Sequence, residues 1–113
     1  TTATTEETTT TNETTATTIG VNSPEHSWGV FCFNDLGDLF LNSDWGAFMY
    51  AWRSFGPGWF REFLSSLNAD YMTQKLWMNV RAETGKKMPP HKEENVKALC
   101  ALFIQHLKDH GKK

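Results

Sequence analysis

The sequence is poor in the features that staple or anchor a chain. It has two cysteines, Cys32 and Cys100, sixty-eight positions apart. Two cysteines do not make a disulfide framework. Cys100 falls on the apolar face of an expected helix and reads as a buried free thiol. A single Cys32–Cys100 bridge is the alternative for a secreted chain. No run of about eighteen apolar residues occurs, which excludes a membrane-spanning helix. The N-terminal stretch lacks aromatic residues altogether: all five Trp, eight Phe and two Tyr lie between Trp28 and Phe103. No signal peptide, lipidation motif or initiating Met is visible. The chain therefore reads as a fragment or processed product that could have lost a targeting segment.

What replaces them at the start is threonine, twelve times in residues 1–18. With so little apolar surface this stretch cannot offset its ordering entropy, so 1–18 is expected to be a disordered tail or linker. Asn12-Glu13-Thr14 matches a glycosylation acceptor pattern. Residues 19–113 form the expected folded domain, large enough to bury a core unaided. Charge is also uneven. The tail carries three acids and no base, residues 19–84 seven acids and four bases, and residues 85–113 seven lysines against three acids. The net charge of -2 hides an acidic front and a basic end.

Helical spacing dominates the apolar pattern. Trp28-Gly29-Val30-Phe31-Cys32-Phe33 is the most strand-like stretch, yet equally suits a buried helical turn. Asn34 or Asp35 could cap a short helix carrying Leu36, Leu39 and Phe40. Ser43 and Asp44 resemble the next cap, before a stripe of Trp45, Phe48, Met49, Trp52 and Phe55. Gly56-Pro57-Gly58 ends that stripe. Trp59, Phe60, Phe63, Leu64 and Leu67 form another. A helix over residues 70–83 would turn Tyr71, Met72, Leu76, Trp77 and Val80 inward. Pro90 opens a last helix with Val96, Leu99, Cys100, Phe103, Ile104 and Leu107 on one side and Gly111 as its stop. The predicted fold is all-α: a compact bundle of four to five short helices behind the tail.

Catalytic chemistry finds little support. His106 and His110 share a helix face, but no Glu follows His106, so the zinc-peptidase pattern is missing, and a structural site needs two more ligands. Thr84-Gly85-Lys86-Lys87 lacks the first glycine of a phosphate loop. Asp35 and Asp38 read as caps, and nothing orients a Cys32–His26 pair. The expectation is no enzyme, no cofactor and no metal. Five Trp in so small a domain point instead to contact with another protein. Trp52 and Trp59, which flank the Gly-Pro-Gly turn, are the expected anchors, with Arg53 and Arg61 as their charged rim. The second reading is a nucleic-acid-binding domain using Lys86, Lys87, Lys92, Lys97, Lys112 and Lys113 on phosphates. The expected compartment is intracellular and cytoplasmic; a secreted or surface domain on a glycosylated stalk is the alternative.

One resemblance to a known family adds to this. Trp45, the run Gly56-Pro57-Gly58-Trp59-Phe60-Arg61-Glu62-Phe63-Leu64, then Leu76-Trp77, and Ala98 to Ile104 together resemble the first half of a regulator of G-protein signalling (RGS) box, over residues 45–104. The resemblance implies an all-helical fold and a role in signalling. Two departures weigh on its activity. The acidic-plus-Asn turn that touches Gα would fall near Asn68-Ala69-Asp70-Tyr71, where its sequence is missing, and the box's C-terminal helices are absent. Scaffolding, rather than GTPase acceleration, is what the resemblance implies.

Overall fold

The computed structural model describes residue 11 and residues 13–110. Four strands come first: β1 (Ala16–Ser23), β2 (Ser27–Asn34), β3 (Asp38–Ser43) and β4 (Gly46–Ala51). Three helices follow: α1 (Phe60–Ser65), α2 (Ala69–Thr84) and α3 (Pro90–Asp109). The strands form one antiparallel meander in the order β1-β2-β3-β4. The fold is thus mixed, a sheet with helices on one face, and the all-α bundle is corrected. Ala16, Thr17 and Thr18, assigned above to the tail, lie in β1. Residues 1–10, the Asn12 acceptor, the Gly111 stop, Lys112 and Lys113 fall outside the described residues.

The turns explain why strands were taken for helices. Asn34 uses its side chain as a cap would, accepting from Leu36 N (2.9 Å) and Asp38 N (3.2 Å). It caps a chain reversal, because polar side chains that bind nearby amides serve turns as well as helices. Gly37 completes that turn at φ 98°, and a Cβ there would stand 1.9 Å from the Trp52 carbonyl oxygen. Only glycine meets both demands. Ser43 does likewise: its hydroxyl accepts from Trp45 N (3.1 Å) and donates to the Gly46 carbonyl (2.8 Å). Ser43 pairs with Gly46, so a two-residue loop joins β3 to β4. The expected stripe from Trp45 to Phe55 is therefore a turn, a strand and a following loop. Phe48 points inward along β4 and Met49 outward.

The helices lie where their spacing placed them. The side chain of Asn68 accepts from Tyr71 N at 2.7 Å to start α2, and Gly85, at φ 73°, ends it. Pro90 opens α3. Along α3, Val96, Leu99, Cys100, Phe103, Ile104 and Leu107 are all buried. Along α2, Met72, Thr73, Leu76 and Trp77 are buried, whereas Tyr71 lies at the surface.

The core forms between this helical layer and the inner face of the sheet. Phe31, Phe33, Leu39, Leu41 and Phe48 supply the sheet's share. Phe31 and Phe103 stack with ring centres 4.1 Å apart and planes within 5°. At one end, Trp52, Phe55, Phe60 and Phe63 form an aromatic cluster with centres 4.9–5.9 Å apart. Truncating a fully buried Phe removes its transfer energy and leaves a cavity. Phe103→Ala should cost about 3–5 kcal/mol in urea unfolding. Leu102→Ala, on the exposed side of the same helix, should cost less than about 0.5 kcal/mol.

Candidate functional site

The residues expected to bind partners are held in different ways. Trp52 is 7% exposed and packs against Tyr50, Phe60 and Phe63. Its indole N–H is buried without a partner. Trp59 precedes α1 and is 66% exposed. Arg53 is engaged by the β2–β3 turn, donating to the Leu36 carbonyl (2.6 Å) and to Asp38 (2.8 Å). Arg61 donates to the His110 carbonyl at 3.2 Å and lies over the Phe33 ring. The Gly-Pro-Gly turn therefore presents one tryptophan to solvent and keeps the other inside.

The lysines among the described residues lie in different surroundings. Lys97 pairs with Asp70 at 3.6 Å. Lys92 sits 5.8 Å from the centre of the Trp77 ring. Glu93, on the same helix, accepts from Gln74. Lys86 and Lys87 are exposed in the link between α2 and α3. His106 and His110 lie with ring centres 4.5 Å apart. Among the described residues no group of three metal-ligating side chains occurs. Nor, among them, is any helix long and apolar enough to cross a membrane.

The largest unexplained feature is the other face of the sheet. The helices cover one side, and successive side chains along a strand point to opposite sides. Trp28, Val30 and Cys32 of β2, Phe40 of β3 and Met49 of β4 consequently point away from the core. Trp28, Val30, Phe40 and Met49 are each 37–41% exposed. The strand register sets them side by side: Cys32 opposite Phe40, Phe40 opposite Met49, and Val30 opposite Asn42. Asn42 in turn faces Ala47. These two shorter side chains floor a shallow hollow of about 340 Å³, walled by Val30, Phe40 and Met49. On the other flank Gly20 lies opposite Val30, and open space surrounds its missing side chain. Two carboxylates lie at the margin: Asp38, paired with Arg53, and Asp44, beside Trp28, which accepts from the Ser27 hydroxyl.

Apart from the Cys32 thiol, the side chains of this surface are hydrocarbon, thioether, indole and amide groups. Such a surface can shed water against another apolar surface, which is what large contiguous apolar patches are for. The outward half of an antiparallel sheet is ordinarily polar where it meets water. An apolar Val30, Phe40 and Met49 between apolar inward neighbours was the available signal. Strand-like alternation vanishes when both faces are apolar, so helical spacing won by default.

The two thiols lie on opposite sides of the sheet and both are free. Cys32 faces outward, accepting a weak contact from the Thr18 hydroxyl at 3.8 Å. Cys100 lies in the core, where burial pushes its thiol from the ordinary 9.0 up to about 12, against a smaller opposing effect of its hydrogen bond with Thr73. A thiol reagent at pH 8 should therefore label Cys32 first and Cys100 only on unfolding. Because burial raises the folded value above the unfolded one, the stability tied to a neutral Cys100 is complete below about pH 9. It should fade as pH climbs toward 12. The urea midpoint of Cys100→Ala should then fall less steeply over that range than that of the parent chain.

Comparison with known proteins bears on the family alone. No curated protein and no solved structure matches the chain. The RGS resemblance over residues 45–104 does not survive: its first quarter, residues 45–59, is β4 and a loop, and the match found covers nearly the whole chain with a different family. The signalling role inferred from it goes with it. Residues 5–110 match the phage family Phage_phiTE_072, and the chain belongs to that family.

Proposed function

We propose that this phage-family protein is a non-catalytic interaction module that docks on another protein surface through the face of its sheet that no other described element covers. The observation that carries this reading is the block of Trp28, Val30, Phe40 and Met49, large, apolar and more than one-third exposed on a rigid sheet. Interface centres are depleted in charge and enriched in aromatic residues and Met, and this block has that composition. A sheet held from behind by a packed core also loses little entropy on docking, which favours affinity.

Trp59 is a second, isolated contact by the same logic, with Trp52 supporting the corner from inside. The free thiols suit a reducing compartment, in keeping with a cytoplasmic site of action.

The test is photocrosslinking in host cells producing the phage's proteins. A photoreactive residue replaces Met49 on the sheet face or Leu102 on the exposed side of α3. Position 49 should give a discrete protein adduct and position 102 none. No adduct from position 49, with the chain folded and abundant, would remove the reading.

A further inference from the structure

We infer that the occupant of the uncovered sheet face is a second copy of this chain, stacked face to face about a two-fold axis near Phe40 and Val30. The inference rests on the reading of that face as a docking surface and supplies its partner.

Three observations favour self-association. The first is size. Four strands about 4.8 Å apart, six to eight residues long at about 3.3 Å each, make a face of roughly 450 Å² in projection. Two such faces bury about 900 Å² in projection, and more once side-chain relief is counted. That approaches the lower end of specific interfaces, about 1,200 Å².

The second observation is charge. A two-fold contact brings each residue near its own counterpart across the axis, so any unpaired charge on the face would meet itself. The outward positions of β2, Trp28, Val30 and Cys32, are uncharged, as are Phe40 and Asn42 on β3 and Met49 on β4. The carboxylates sit at the margins, away from the axis: Asp38 is paired with Arg53, and Asp44, in the β3–β4 loop, accepts from Ser27.

The third is relief. Each copy carries both raised side chains and the Asn42–Ala47 hollow. The hollow, about 340 Å³, is large enough to receive an aromatic ring from the opposite copy. Packing at about 10 Å would close a sandwich with the helices outside, giving four layers in the order helix, sheet, sheet, helix. An interface near the lower size limit is expected to dissociate in the micromolar range.

Sedimentation equilibrium of the full chain, between about 1 and 300 μM, tests this around that affinity. The mass should rise from the 12.9 kDa monomer toward twice that value. Labelling of Cys32 should slow over the same range. Phe40→Asp should hold the chain monomeric. Asn42→Lys changes a position that is already polar and exposed, so folding of the monomer is spared; it should weaken association more than about tenfold. Leu102→Ala, on the exposed side of α3, should associate like the parent. A parent chain still monomeric at the top concentration, or a dimer indifferent to both sheet-face variants, would overturn the inference. If the monomer result comes with a crosslink from position 49 to a different protein, the docking surface stands and only its occupant was misassigned. With no crosslink at all, both fall.

Discussion

Everything in this fold hangs on β2 being apolar on both sides. Its inward residues, Phe31 and Phe33, meet Phe103 of α3 and Phe60 of α1, and that contact joins the two layers. Its outward residues, Trp28, Val30 and Cys32, lie along the sheet's open side. An interior strand of a two-layer protein normally divides these duties, apolar to the core and polar to water. Here the division is absent. Removing the inward set would dissolve the core. Removing the outward set would leave the fold and erase its most distinctive surface.

The same property decided what was legible. Helix α3 could be read from Pro90 to its last turn because one side is apolar and the other charged, with Glu93 near its start and Lys108 near its end. Helix α2 was equally plain from its spacing and Gly85. The strands were not. Leu39, Phe40 and Leu41 are consecutive and apolar, so their period of two is invisible. In residues 45–55, inward Phe48 and Trp52 and outward Met49 chance upon helical intervals. The turn-formers Asn34 and Ser43 were identified as groups that bind backbone amides, which they do, but at hairpins instead of helix starts. The candidate surface was hidden for the same reason as the sheet that bears it. A reader expecting helices assigns Phe40 and Met49 to a core.

The tryptophans show how position outranks residue type. Trp52 and Trp59 stand seven apart, on either side of one glycine-proline-glycine turn. One closes the aromatic cluster with Phe55, Phe60 and Phe63, while the other stands in water. Composition flagged both, and only the backbone path separates them. Trp28, on the sheet's open side, drew no special notice in the sequence because it begins an unbroken apolar run.

The Phe31–Phe103 stack joins residues seventy-two positions apart, with α3 the last of the described elements. The meander needs only neighbouring strands and can pair early, whereas its inner face is not shielded until α3 arrives. During synthesis the nascent sheet therefore spends an interval with two sticky faces and no cover for either. A ribosome would have to release the chain through α3 before the first of those faces is safe. The order of synthesis thus leaves Phe31 and Phe33 waiting longest for the partners that bury them.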